Sequence, residues 1–136
     1  MDTLSKRERS LRMSLVRGRD TGPEMAVRRV AHRAGFRYRL HVAWLPGRPD
    51  LVFSARKRVV FVHGCFWHRH PGCGQARMPK SRVAFWAPKL GGNRRRDLKN
   101  IQLLKRLGWK VEIIWECETR DPALVERRIR RFMAAR

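Results

Sequence analysis

Thirteen residues, Phe61-Val62-His63-Gly64-Cys65-Phe66-Trp67-His68-Arg69-His70-Pro71-Gly72-Cys73, hold two of the chain's three cysteines and three of its five histidines. Thiolate and imidazole are the side chains that bind zinc, and imidazole also moves protons near neutral pH. Cys65, His70 and Cys73 fall within nine residues, and Cys117 follows a later apolar run. Three sulfurs and one imidazole form the usual shell of a structural zinc, with no position left for a reacting water. The spacing is looser than paired Cys-x-x-Cys motifs, so a buried Cys117 thiol with incidental neighbours is the competing reading. His63 and His68 stand outside the ligand set. With Asp50 upstream they offer acid–base chemistry, since carboxylate and imidazole are the side chains that most often serve it.

These groups need elements to hold them. Arg58 to Val62 is an apolar run that reads as a buried strand ending at His63, and Asp50 to Phe53 reads as its hairpin partner. Leu45-Pro46-Gly47-Arg48-Pro49 is a rigid turn leading into Asp50. Phe36 to His41 alternates like a further strand. Thr21 with Glu24 three residues on forms a capping box, Pro23 sits in the first turn and Gly35 supplies the stop, which predicts a helix between them. Glu24 is therefore open to two readings, a helix cap or a functional carboxylate. Arg82 to Leu90 and Arg94 to Leu107 read as two helices separated by Gly91-Gly92-Asn93. Trp109 to Trp115 reads as a strand, with both tryptophans expected in the core. Asp121-Pro122 starts a last helix. The order α-β-β-β-α-α-β-α indicates an α/β fold, a mixed sheet flanked by helices.

The 136 residues suit one domain, with residues 1–18 a basic N-terminal arm or helix. There are 33 basic residues against 11 acidic ones, a formal charge of +22. Repulsion on that scale calls for a polyanionic partner, and nucleic acid is the first candidate. No apolar run approaches the roughly 20 residues that span a bilayer, and the N-terminus lacks a signal-peptide core, so a cytoplasmic protein without membrane partners is expected. Ten basic residues and a single acid, Asp97, lie between Arg77 and Arg106. Arg94, Arg95 and Arg96 are the candidates to meet nucleic-acid phosphates, contacts that position a protein without reading sequence.

Taken together, Gly47-Arg48-Pro49-Asp50, Val62-His63-Gly64-Cys65-Phe66-Trp67-His68, Phe85-Trp86, Asn93 with Asp97, Leu107-Gly108-Trp109 and Ile114-Trp115-Glu116-Cys117 resemble the very short patch repair (Vsr) DNA mismatch endonucleases. Arg19-Asp20-Thr21 with Glu24 extends the likeness to roughly residues 12–118. The resemblance implies a variant of the restriction-endonuclease-like PD-(D/E)XK fold. It implies a Mg²⁺-dependent nick in double-stranded DNA, 5′ of the T in a T·G mismatch left by deamination of 5-methylcytosine. It links the protein to a DNA cytosine-5 methyltransferase and to repair proteins, and places a monomer at the bacterial nucleoid. By the same resemblance Asp50 and the Val62 carbonyl would bind Mg²⁺. His68 would assist proton transfer, His63 would sit against the scissile phosphate, Glu24 would hold a water of the metal shell and Asp97 would orient a histidine. Cys65, His70, Cys73 and Cys117 match the family's zinc ligands. The acid-x-lysine half of the general motif is missing, as it is in the Vsr branch, which has histidine there.

Phe66, Trp67 and Trp86 would wedge beside the mismatch, where opening the base stack costs least. Packing against the metal loop is their alternative role, above all for Trp86. A non-catalytic zinc-containing DNA-binding module is the rival to the nuclease as a whole. Asp50 and His68 separate the two, because only catalysis needs them.

Overall fold

The computed structural model describes residues 21–135; the expected basic arm or helix of residues 1–18 lies outside them. Helix α1 (Gly22–Arg33) starts where the capping residues predict, with Thr21 Oγ1 accepting the Glu24 N–H at 3.4 Å. Gly35, at φ +94°, turns the chain away from it. Strand β1 (Leu51–Phe53) and strand β2 (Arg58–His63) form the expected antiparallel hairpin, closed by a 3₁₀ turn and by Lys57 at φ 53°. Helix α2 (Val83–Arg106) then carries the chain across to strand β3 (Lys110–Trp115), which pairs parallel with β2. Asp121 caps helix α3 (Pro122–Ala134), its Oδ1 accepting the Leu124 N–H. The sheet order is β1-β2-β3.

Side chains alternate across the sheet, and the two faces bury different helices. Leu51, Phe53, Val60, Val62 and Ile114 pack with Val27, Val30 and Ala31 of α1 and with Val125, Ile129 and Phe132 of α3. On the other face Val52, Val59 and Phe61 pack against Leu104 of α2, with Val111 and Ile113 beside them. Each fully buried Val or Leu contributes about 1.5–3 kcal/mol through burial, so the strands are anchored from both sides. Arg128 of α3 adds a polar tie to β3, donating to Glu112 at 2.9 Å and to the Ile113 carbonyl at 2.7 Å.

Two expectations fail. Residues 36–41 form no strand: only Arg39 pairs, in an isolated bridge to Val52, before His41 turns the chain at φ 57°. The helices expected over 82–90 and 94–107 are one 24-residue helix running through Pro88 and Gly91-Gly92. Two glycines cost a helix roughly 1 kcal/mol each relative to alanine. Burial of Leu90, Asn93 and Leu104 along α2 outweighs that penalty.

Candidate functional site

The parallel register pairs His63 with Trp115, so the chain leaves β2 and β3 side by side at the same edge. That brings Cys65 next to Cys117. The loop after β2 turns back on itself through His68 N–H to Gly64 O and His70 N–H to Cys65 O. Arg69 sits at φ 56° between two histidines, and the turn sends them to different places. His70 joins Cys65, Cys73 and Cys117, all four ligand atoms lying within 4.8 Å of one another. His70 Nδ1 is 3.5 Å from Cys117 Sγ. A tetrahedral ion with zinc–sulfur bonds of about 2.3 Å and a zinc–nitrogen bond of about 2.0 Å has an S–N edge of about 3.5 Å. Burial raises the thiol pKa of Cys65 and of Cys117, while the Gln75 backbone N–H lowers that of Cys73. Three cysteines and one imidazole at this separation fit zinc, and a bound cation is what would hold the thiols as thiolates.

His68 goes the other way. Its Nδ1 lies 2.6 Å from Asp97 Oδ2 on α2, and its ring stacks on His63 at 3.9 Å and 8°. The Asp97 bond leaves Nε2 as the nitrogen able to take or give a proton. His63, His68 and Asp97 also place ligand atoms within 4.8 Å. Nearly parallel rings point their in-plane lone pairs alongside one another, so this trio suits a hydrogen-bonded dyad better than a metal shell. Burial, with the His68 charge adding to it, pushes the His63 pKa down to about 3, against the pull of Asp97. His63 is therefore neutral at neutral pH.

Asp50 precedes β1 and extends its ladder: its N–H donates to Val60 O, and its Oδ2 accepts the Val62 N–H at 2.6 Å. Alternation along β2 turns the N–H and C=O of Val62 to the same edge as the Val60 carbonyl, beyond the end of β1. Burial pushes the Asp50 pKa up to about 7; the Val62 N–H opposes the rise, the Glu24 charge adds to it, and His68 and Arg28 pull it down. The Asp50 and Glu24 carboxylates and the Val62 carbonyl are hard oxygen donors, the type that Mg²⁺ takes alongside its waters.

Glu24, Val62 and His68 line a cavity of about 650 Å³, together with Asp97, Asn93 and Arg96. Asp50 and His63 are not part of its wall; they lie against Val62 and His68 respectively. The Glu24 carboxylate accepts from Arg28 Nη2 at 3.4 Å, one turn along α1.

Phe66 and Trp67 form one lip of this cavity, half-buried. Trp86 packs edge-on to Phe66 at 5.4 Å and tilted to Trp67 at 5.9 Å, which puts it in the same group. Phe85, 43% exposed, and Lys89, whose ammonium lies 5.8 Å from the Trp67 ring, complete the cluster. Neither was singled out as a site residue from the sequence, although Lys89 follows Phe85 by four residues and Trp86 by three, spacings at which helix side chains meet. Asn93 donates to the Trp67 carbonyl at 3.2 Å and accepts from Arg96. Arg94, Arg95 and Arg96 are all exposed. Trp115 is half-buried, and imidazole rings lie against it; the expected core role does not describe it.

A family model described as DNA mismatch endonuclease Vsr matches residues 1–75. A type II nicking enzyme, V.XorIIP of Xanthomonas oryzae pv. oryzae, is 46% identical over 97% of this chain and 96% of its own. The chain belongs to the Vsr DNA mismatch endonuclease family. The DNA mismatch endonuclease Vsr of Escherichia coli K12 is 41% identical, over 93% of this chain and 84% of its own length. These full-length matches carry the Vsr relationship beyond residue 75, into the half that holds Asp97 and Cys117. In fold, the Vsr-family chain is similar to the catalytic domain of the homing endonuclease I-Bth0305I, with a TM-score of 0.58 at 18% identity over 85% of this chain and all of that one.

Proposed function

We propose that this Vsr-family protein is a Mg²⁺-dependent endonuclease that nicks double-stranded DNA 5′ of the T in a T·G mismatch, starting repair of deaminated 5-methylcytosine. The observation that carries this reading is what gathers at one cavity: Glu24, Val62 and the His68–Asp97 dyad line it, and Asp50 lies directly behind Val62, bonded to its N–H. Asp50 and the Val62 carbonyl would hold Mg²⁺, with Glu24 beside them. Bound magnesium would polarise the scissile phosphate and acidify the attacking water. His68 takes a proton at Nε2 while Asp97 fixes its tautomer through Nδ1. His63, neutral, supports that ring from behind and would sit near the phosphate. Cys65, His70, Cys73 and Cys117 would hold Zn²⁺ as a closed structural shell. Phe66 and Trp67, with Trp86 behind them, would enter the base stack where the mismatch has weakened it. Arg94, Arg95 and Arg96 would contact phosphates.

The lesion's origin ties the protein to a DNA cytosine-5 methyltransferase and to downstream repair proteins, acting as a monomer in the bacterial cytoplasm and at the nucleoid. No helix among the described residues is long and apolar enough to cross a membrane.

A strand-resolved nicking assay on T·G and matched duplexes, with Mg²⁺ or EDTA, tests the reading. Metal-dependent cleavage beside the T that vanishes in Asp50→Ala is the expected result. Tight mismatch binding without cleavage in any sequence context would instead make the protein a binding module.

A further inference from the structure

Between the thiolate cluster and the catalytic dyad runs a continuous train of rings. His70 lies flat on Trp115 at 4.2 Å and 11°. Trp115 meets His63 edge-on at 5.3 Å and 71°. His63 stacks on His68 at 3.9 Å and 8°, and His68 ends on Asp97. Trp115 is the member that belongs to neither group. It is the last residue of β3, held by its own backbone N–H to Glu118 Oε1 at 2.9 Å and by its pairing with His63.

We propose that Trp115 is a positioning residue through which the zinc shell sets the ring planes of His63 and His68. The inference rests on the nuclease reading above. A broad indole plate is suited to this: flat contact with His70 fixes its plane, and its edge then limits the tilt of His63. His63 has lost its water to burial, so ring contacts rather than solvent decide its orientation. His68 has one hydrogen bond to Asp97 and one stacking face on His63, and together these two contacts define where Nε2 points. A side chain that merely filled space at position 115 would need volume. One that positions His63 needs a planar face, which separates phenylalanine from leucine as replacements.

The experiment compares Trp115→Leu, Trp115→Phe and His70→Cys with the wild-type zinc-loaded protein. The readouts are zinc per chain, affinity for a T·G duplex in Ca²⁺, single-turnover nicking in Mg²⁺, and the ¹⁵N signals of His68. Trp115→Leu should keep its zinc and its duplex affinity while nicking falls about 10-fold or more and the His68 tautomer signals shift, as expected when a supporting contact is lost. Trp115→Phe should restore most of the rate. His70→Cys keeps four zinc ligands but removes the stacking partner, and should slow nicking likewise. Wild-type rates and unchanged His68 signals in Trp115→Leu would overturn the proposal. So would equal loss in the leucine and phenylalanine variants. Should Trp115→Leu fail to fold, an unaltered rate in His70→Cys overturns it equally. A wild-type protein that nicks nothing would refute the nuclease reading alone, because the His68 signals still report whether Trp115 sets that ring.

Discussion

Two clusters sit at the same end of the sheet, and their chemistry is opposite. The Cys65, His70, Cys73 and Cys117 group is soft, four-membered and closed on itself. The Asp50, Glu24 and Val62 group is hard, made of oxygen, and abuts a cavity of about 650 Å³. A complete tetrahedral shell can only hold structure together, whereas an incomplete oxygen shell keeps room for phosphate and water. If the two clusters hold Zn²⁺ and Mg²⁺ as proposed, ligand type and openness would divide labour between them. The turn at Arg69 is where the division is made, with His68 on one side and His70 on the other.

Mutations on the two sides should fail in different ways. Asp50→Ala is expected to lower nicking by at least about 1,000-fold, since removal of a group that stabilises the transition state can cost that much. Its zinc content and mismatch affinity should stay near wild type, measured by metal analysis and by binding in Ca²⁺. Loss of binding by a folded variant would show that Asp50 is not confined to the chemical step. Cys117→Ser should do the reverse. Zinc leaves, and with it a binding free energy that is also folding free energy. The checks are metal analysis and thermal unfolding, and full zinc occupancy at an unchanged melting temperature would take Cys117 out of the shell. Asp97→Asn lies between these extremes. It leaves the dyad a hydrogen bond without a charge, so nicking should drop about 10- to 100-fold with zinc and stability untouched.

Legibility in the sequence followed the same division. Ligand types, the Asp50–β2 hairpin and the Thr21 and Asp121 caps are local features, set by residues three or four apart or by a short turn. Contacts that depend on tertiary packing were not visible. Gly91-Gly92 reads as a break, yet α2 continues because Leu90 and Asn93 on either side are buried against the rest of the protein. Phe36 to His41 has the alternation of a strand, but its backbone finds a partner only at Arg39. Trp115 has the pattern of a core strand residue, and only the parallel register reveals that it meets His63. Hydrophobic pattern reports that a side chain is covered. It does not report by what.

The oxygen site also predicts a cost in the metal-free state. Asp50 has its pKa raised to about 7 from an ordinary 3.8, chiefly by burial. Between those values the folded state binds the proton more tightly than the unfolded one, so metal-free stability falls as pH rises through the window. The shift amounts to roughly 4 kcal/mol at most. Asp50→Asn should therefore raise the melting temperature of the zinc-loaded, Mg²⁺-free protein at pH 8 and leave it nearly unchanged at pH 4. Adding Mg²⁺ should stabilise the wild type at pH 8 and not the variant. An equal effect of the substitution at both pH values would mean that Asp50 is not desolvated in the free protein.

The smallest expected effect concerns neither cluster but the exposed arginines on α2 that flank the cavity. Arg95 is solvent-exposed, and unlike Arg96 it is not part of the cavity wall. A phosphate contact from such a position releases about one counterion and carries no information about the base pair. Arg95→Gln should accordingly weaken matched and T·G duplexes by the same factor and lower the salt-dependence slope by about 1, with the rate of the bound complex unaltered. Binding measured across a salt series on both duplexes decides it. A loss confined to the mismatched duplex would move Arg95 from positioning to recognition. It would also extend the aromatic lip of Phe66, Trp67 and Trp86 along α2, making the helix rather than the metal loop the part of the protein that distinguishes T·G from a paired base.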